Sequence, residues 1–127
     1  MAKQTSIGQH NQQLGSWGEQ RAGEFLQDKG YTILGRNIRT PYGEIDLLAE
    51  KDGQLVFVEV KTRSNAAFGA PEESITPLKR EHLVACAESY LQSLDCQPQT
   101  WRIDVIAILG KPGRKPFEIT WFENALV

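Results

Sequence analysis

Charged residues interrupt two neighbouring apolar runs in the stretch GEIDLLAEKDGQLVFVEVKTR, residues 43–63. The first run carries Glu44 and Asp46, and the second carries Glu59 and Lys61. A buried ion without a partner costs several kcal/mol, so charges in a strand core require a compensating interaction. Carboxylates beside a lysine can hold Mg²⁺, which commonly keeps waters for a phosphate group. These residue types therefore suit metal-assisted hydrolysis of a phosphodiester bond.

The turn between the two runs determines which charged side chains face each other. The Asp-Gly pair at positions 52–53 is typical of a two-residue β-hairpin turn. Extending the register from that turn places Asp46 opposite Glu59, with Cβ atoms about 4.5–5.5 Å apart. The same register places Glu44 opposite Lys61.

Two carboxylates at that separation repel each other, and three arrangements would relieve the repulsion. One acid could be protonated, Lys61 could neutralise the pair, or a divalent cation could bridge Asp46 and Glu59. A lysine two residues from a metal-binding glutamate could position or activate an attacking water, or offset developing phosphate charge. The simpler alternative is an exposed sheet face with ordinary cross-strand ion pairs.

The hairpin belongs to a chain whose apolar periodicity predicts the order α-β-β-β-α-β-β. Thr76 and Pro77 are typical of the N-cap and first position of the second, long helix. That helix should cross over and place the next strand parallel to the one before it. The result is an α/β domain with a mixed β-sheet flanked by helices. The predicted elements are helices at 16–30 and 76–94 and strands at 31–39, 43–50, 54–62, 101–109 and 117–122.

Composition narrows the class of protein. The chain has 127 residues, of which 40% are hydrophobic, and a formal net charge of −2. We expect a flexible tail at residues 1–13 and a single domain at 14–127. The net charge argues against binding nucleic acid by bulk charge alone, yet it suits an enzyme whose acidic site needs a cation. We see no signal core or membrane-length apolar run, so we expect a cytoplasmic protein that does not enter a membrane.

The segments GEIDLLA, VFVEVKTR and FGAPEESI resemble the YraN-like family of small, largely uncharacterised bacterial proteins. That family is similar to the PD-(D/E)xK restriction-endonuclease superfamily, and especially to archaeal Holliday-junction resolvases. The resemblance implies a restriction-endonuclease-like sheet and an endonuclease that uses Mg²⁺ or Mn²⁺ on DNA, including branched DNA. It implies metal binding by Asp46, Glu59 and the carbonyl of Val60, with Lys61 acting on the water. Action on both strands of a junction would favour a homodimer.

Two further acids could join this site. The resolvase resemblance implies a metal-site role for Glu19 in the first helix. Alternatively, Ser16-x-x-Glu19 is a capping box, in which Glu19 only caps its own helix. Glu44 shares a face with Asp46, and either a catalytic role or a plain salt bridge fits its position.

Basic residues near the hairpin are candidates for nucleic-acid contacts. Lys79 and Arg80 lie in the first turn of the long helix, where cations are unfavourable unless an anion such as phosphate docks there. Arg63, at the end of VEVKTR, is a similar candidate, and solvated charge is the alternative for all three. Phe68 either stacks on a base or anchors the core, and Asp104 suits structural pairing better than catalysis.

Overall fold

Two helices and five strands make up the part of the chain that the structure, a computed structural model, describes: residues 7–65 and 76–125. Their order confirms the predicted α/β class and the sequence α-β-β-β-α-β-β. Phe68 and its loop lie outside the described residues. Neither described helix combines the length and the apolar composition needed to cross a bilayer. The elements are α1 (Ile7–Asp28), β1 (Thr32–Thr40), β2 (Gly43–Lys51), β3 (Gln54–Arg63), α2 (Pro77–Gln92), β4 (Thr100–Leu109) and β5 (Glu118–Phe122).

The five strands form one mixed sheet in the order β1-β2-β3-β4-β5. Strands β1, β2 and β3 form an antiparallel meander, whereas β3 and β4 are parallel and β5 returns antiparallel to β4. Parallel neighbours need a crossover connection, which α2 provides as the sequence predicts. The carboxyl ends of β3 and β4 therefore meet at the same edge of the sheet.

The turn between β2 and β3 has the predicted geometry. Asp52 and Gly53 have φ angles of 53° and 79°, and a type I′ turn requires positive φ at both central positions. Because this turn is tight, it fixes the register of the two strands. The predicted register is confirmed over five pairs, from Lys51–Gln54 to Leu47–Val58.

Backbone pairing between β2 and β3 stops at Leu47. The residues of β2 that precede Leu47 still pair with β1, and Arg39 is the partner of Glu44. The expectation that Glu44 faces Lys61 across paired strands is therefore wrong. The register extrapolated from the turn does not anticipate that the two strands separate before they reach these residues.

Apolar side chains cover both faces of the sheet. Ala22 and Leu26 of α1 are completely buried against one face, and Ala87 and Leu91 of α2 are buried against the other. Burial of each leucine-sized side chain contributes about 1.5–3 kcal/mol, so these layers hold the sheet between the helices. Strand β4 contributes to both layers, so it is buried on both faces. The β4 members are Ile106 and Ile108 on the α1 side and Ile103 on the α2 side.

The first helix begins earlier than the sequence predicts. Helix α1 starts at Ile7, so Ser16 lies in its interior and cannot be its N-cap. The capping-box interpretation of Ser16 and Glu19 is therefore wrong. Residues 7–13, which we expected in the tail, are helical. The polar segment GQHNQQ has no apolar stripe, so periodicity does not reveal this part of the helix.

Gly18 allows α1 to approach β3 closely. A Cβ added at Gly18 would overlap with Oγ1 of Thr62, the residue that follows Lys61, so no larger residue fits without a shift of the helix or of the Thr62 side chain. Gly15, less than one turn earlier, has no neighbouring atom within 4 Å of the same position. The close contact at Gly18 brings the next residue, Glu19, towards the carboxyl half of β3.

We predict that Gly18→Ala lowers the free energy of unfolding by about 1–3 kcal/mol, because overpacking a tight contact typically costs that much. Urea denaturation followed by circular dichroism measures the change. Gly15→Ala is the matched control, and it should gain about 0.5–1 kcal/mol because it replaces glycine inside a helix where space is free. If Gly18→Ala proved as stable as Gly15→Ala, the close approach of α1 to β3 would be wrong.

Candidate active site

Asp46 lies where β2 and β3 stop pairing. Its Oδ2 accepts a hydrogen bond of 2.8 Å from the backbone N–H of Val60. If the antiparallel pairing continued, a backbone carbonyl of β2 would accept the hydrogen bond from Val60. The Asp46 side chain takes the place of that carbonyl. Because the N–H and C=O of one strand residue point to the same side, the Val60 carbonyl also faces the side of β3 where Asp46 lies.

Glu59 is a buried acid held by two lysines. The residue is 8% exposed, and its Oε1 lies 3.2 Å from Lys61 Nζ and 3.1 Å from Lys79 Nζ. Lys61 shares the strand face of Glu59, as the two-residue spacing predicts. Lys79 arrives from α2, a contact that the sequence does not predict. Two ammonium groups thus compensate one buried carboxylate, which would otherwise be costly.

The N-terminus of α2 fixes the position of Lys79. Thr76 is the N-cap, and its Oγ1 accepts a hydrogen bond of 3.2 Å from the Lys79 backbone N–H, which confirms the predicted cap. Lys79 therefore turns into the site rather than being a freely solvated charge. Arg80 is exposed on the same turn, and Arg63 ends β3 two residues after Lys61. Phosphate contacts by Arg63 and Arg80 stay predictions.

Glu19 and Glu44 meet at Asn37 of β1. With the Asn37 amide oriented to donate, its nitrogen lies 2.6 Å from Glu44 Oε1 and 3.1 Å from Glu19 Oε2. Asn37 has a φ of 50°, a left-handed value that asparagine adopts more readily than most residues. Our sequence reasoning missed this residue. Its only signal is an asparagine inside a strand, where that residue type is depleted.

Four acids from three elements are thus brought together, and we call them the carboxylate cluster: Glu19, Glu44, Asp46 and Glu59. Burial and the neighbouring charge of Glu59 raise the pKa of Asp46 to about 7, although the Val60 hydrogen bond opposes the rise. Burial also raises the pKa of Glu19, where the Asn37 hydrogen bond opposes and the charge of Glu44 reinforces the shift. Glu19 and Asp46 are therefore harder to ionise than exposed carboxyl groups.

The lysine side of the site is also perturbed. Burial lowers the pKa of Lys61, and the neighbouring Lys79 lowers it further, while Glu59 acts in the opposite direction. Two of the three predicted ways to relieve the repulsion thus have support: the raised pKa of Asp46 favours its protonated form, and two lysines compensate Glu59. In the described part of the chain, no three His, Cys, Asp or Glu side chains are grouped closely enough to hold a metal by themselves.

An open cavity of about 350 Å³ gives access to these groups. Asp46 and Glu59 reach it from the strands, and Lys79 and His82 reach it from α2. Its volume lies near the lower end of the range of about 300–1,000 Å³ that is typical of ligand pockets. The two central carboxylates can therefore meet a ligand. The remaining lining residues are Tyr42, Gly43, Glu44, Thr76, Leu78, Leu83 and Cys86.

Asp104 belongs to a separate, structural network. It is completely buried, and its Oδ1 accepts hydrogen bonds of 2.9 Å from Arg102 Nε and 2.8 Å from the Asn124 backbone N–H. Its Oδ2 accepts a bond of 2.9 Å from Trp121 Nε1. Both oxygens are therefore committed to the protein, as expected for structural pairing.

Comparisons with known proteins place the chain among relatives without an assigned activity. The family model described as "Uncharacterised protein family UPF0102" matches residues 18–108, a range that contains the whole carboxylate cluster. A UPF0102 protein of Syntrophomonas wolfei is 48% identical over 104 residues, covering 82% of this chain and 90% of the relative. One from Roseiflexus castenholzii is 50% identical over 96 residues, covering 75% and 77%. One from Flavobacterium psychrophilum is 43% identical over 119 residues, covering 94% and 97%.

We predict that Asp46 makes the fold less stable as the pH rises from about 4 to about 7. Its folded-state pKa of about 7 lies above the ordinary aspartate value of about 3.9. The folded chain therefore holds this proton more tightly than the unfolded chain, and the resulting stabilisation is lost as the pH rises through that window. Asp46→Asn removes the titration but keeps an oxygen that can accept from Val60. Its free energy of unfolding should fall less over the same window.

Urea unfolding at several pH values in buffer with EDTA measures this difference. The free energy of unfolding of the wild type should fall by a few kcal/mol at most over this pH range, since one pKa unit corresponds to about 1.4 kcal/mol. Glu50→Gln removes an exposed carboxyl from the same strand and serves as the control. A carboxyl ¹³C resonance of Asp46 that titrates near its ordinary value would contradict the prediction.

Proposed function

Since the chain belongs to the uncharacterised protein family UPF0102, the YraN-like family that its motifs resemble, we propose that it hydrolyses DNA phosphodiester bonds with Mg²⁺ or Mn²⁺. The observation that carries the proposal is the meeting of Asp46 and Glu59 at the open end of the β2–β3 hairpin, beside Lys61. Both acids line a cavity that a phosphate group can enter. The resemblance to junction resolvases extends the proposal to branched DNA.

The donor atoms present fit the proposed ion. Asp46, Glu59 and the Val60 carbonyl offer oxygen atoms, and Mg²⁺ is commonly held by one or two carboxylates while it keeps several waters. The raised pKa of Asp46 reflects burial beside another carboxylate, and a dication shared by the two acids would favour the ionised form. When bound, the ion would polarise a phosphoryl oxygen and make a coordinated water more acidic.

The lysines and outer acids have separate roles in this proposal. Lys61 would position the attacking water, and its neutral form, which the lowered pKa favours, would accept the proton of that water. Lys79 would offset the charge that develops on the phosphate, which requires it to share its contact with Glu59. Glu19 and Glu44, joined through Asn37, would orient waters at the outer side of the site. Arg63 and Arg80 would contact flanking phosphates.

One observation favours a second function, a non-catalytic module that binds nucleic acid or protein on a nuclease scaffold. Glu59 is already compensated by Lys61 and Lys79, so this carboxylate is stabilised without a metal. Isothermal titration calorimetry separates the two functions. Heat on addition of Mg²⁺ or Mn²⁺ that disappears in Asp46→Asn supports the nuclease, whereas intact DNA binding without metal heat supports the module.

We predict that the protein cleaves DNA in the presence of Mg²⁺ or Mn²⁺. Lys61→Met should lower the rate by roughly 10²–10⁴-fold, the range that general acid–base groups contribute, and Asp46→Asn should lower it by removing a metal ligand. Fluorescently labelled four-way junction, single-stranded and duplex DNA, resolved on denaturing gels, measure cleavage. The three substrates also test the preference for branched DNA.

Glu50→Gln is the matched control, because it removes an exposed acid from β2 outside the carboxylate cluster and should retain the wild-type rate. Cleavage that persists undiminished in Asp46→Asn and Lys61→Met would show that the activity belongs to a contaminant. The proposed function would then be wrong.

A further inference from the structure

A second cleft, of about 320 Å³, lies between α1 and the segment that connects β4 to β5. Trp17 and Arg21 line it from α1, and Arg114, Lys115 and Phe117 line it from the connecting segment. We call it the basic cleft, because its lining contains three cationic side chains and no carboxylate among the described residues. This grouping is unusual on a chain whose formal net charge is −2, and it gives the cleft a local positive potential.

Aromatic packing holds the two sides of the basic cleft together. The rings of Trp17 and Phe117 meet edge to face, with centroids 5.4 Å apart and an interplanar angle of 78°. Both side chains also pack against the buried layer under α1. The connecting segment is therefore anchored to the helix, and the position of the cleft is set before any ligand arrives.

Arg21 contributes to the lining of this cleft from α1. Its Nε is buried and has no hydrogen-bond partner among the described residues, whereas Nη2 donates to Glu24 Oε1 at 3.0 Å. The planar guanidinium group matches the geometry of phosphate oxygens particularly well.

The basic cleft lies on the α1 face of the sheet and the cavity of the candidate active site on the α2 face, and both are near the carboxyl ends of β3 and β4. Strands β3 and β4 are parallel, and Arg63 at the end of β3 is the partner of Leu109 at the end of β4. Directly after β4, the backbone N–H of Gly110 donates to the Arg63 carbonyl at 2.9 Å. The segment with Arg114 and Lys115 therefore starts beside the strand end that carries Arg63. A small anion would occupy either the basic cleft or the candidate active site, whereas a long polyanion would reach both.

We propose that the basic cleft binds the phosphodiester backbone of a nucleic acid at a position flanking the candidate active site. Arg21, Arg114 and Lys115 contact phosphate oxygens, and Trp17 and Phe117 form an apolar wall beside the sugars and bases. The choice of nucleic acid as the polyanion rests on the proposed function, but the binding itself requires neither metal nor cleavage.

Fluorescence anisotropy with the full chain in EDTA tests this inference. The probes are a fluorescein-labelled single-stranded 30-mer of DNA and its duplex, titrated at several salt concentrations. Arg114→Gln/Lys115→Gln should weaken single-strand binding roughly 20-fold at about 0.1 M salt and reduce the slope of log K against log salt by about 1.4, since each phosphate contact contributes about 0.7. Both residues are exposed, so the substitutions should leave the fold intact.

Lys29→Gln/Lys51→Gln is the matched control, because it removes the same charge from exposed residues at the opposite end of α1. Equal weakening of DNA binding by both double variants would show that the loss of affinity comes from net charge alone, and it would overturn the inference. Wild-type affinity in the cleft variant would also overturn it, as would the absence of binding to either probe. Weaker DNA binding in the cleft variant but not in the control supports the inference, even if the protein does not cut DNA. The two proposals can therefore fail separately.

Discussion

The hydrogen bond from the Val60 amide to Asp46 Oδ2 ends the ladder between β2 and β3. It replaces a backbone carbonyl with a carboxylate, so the strands remain connected while their ends separate. The exchange places Asp46 beside Glu59, where burial and repulsion raise the pKa of Asp46. It also leaves the Val60 carbonyl on the side where the two strands no longer pair. The rest of the site is arranged around this opening.

Helices on opposite faces of the sheet complete the arrangement. Helix α1 brings Glu19 in through the close approach at Gly18, and α2 brings Lys79 in through its capped first turn. The four acids of the carboxylate cluster face two lysines, Lys61 and Lys79. Arg36 adds a further positive charge that acts on Glu19, so the acids are compensated partly by basic side chains and partly by the raised pKa values of Asp46 and Glu19.

The parts of this arrangement that depend on local rules could be predicted from the sequence. The turn at 52–53 set the strand register, and two-residue alternation placed Lys61 beside Glu59. The crossover rule correctly predicted the parallel β3–β4 pair. The rest depends on exceptions to repeating patterns. A side chain takes the place of a ladder carbonyl at Asp46, Asn37 adopts a left-handed conformation inside a strand, and Lys79 reaches the site only through the packing of α2 on the sheet.

The antiparallel meander has a consequence for the route by which the chain folds. Strands β1, β2 and β3 pair with their neighbours in the chain, so the contacts around Asp46 are local and their loops cost little entropy to close. A transition state that contains the β2–β3 hairpin already holds Asp46 close to Glu59. Interactions present in the transition state affect the folding rate more than the unfolding rate. Because burial and the charge of Glu59 raise the pKa of Asp46, ionisation of Asp46 would then slow folding.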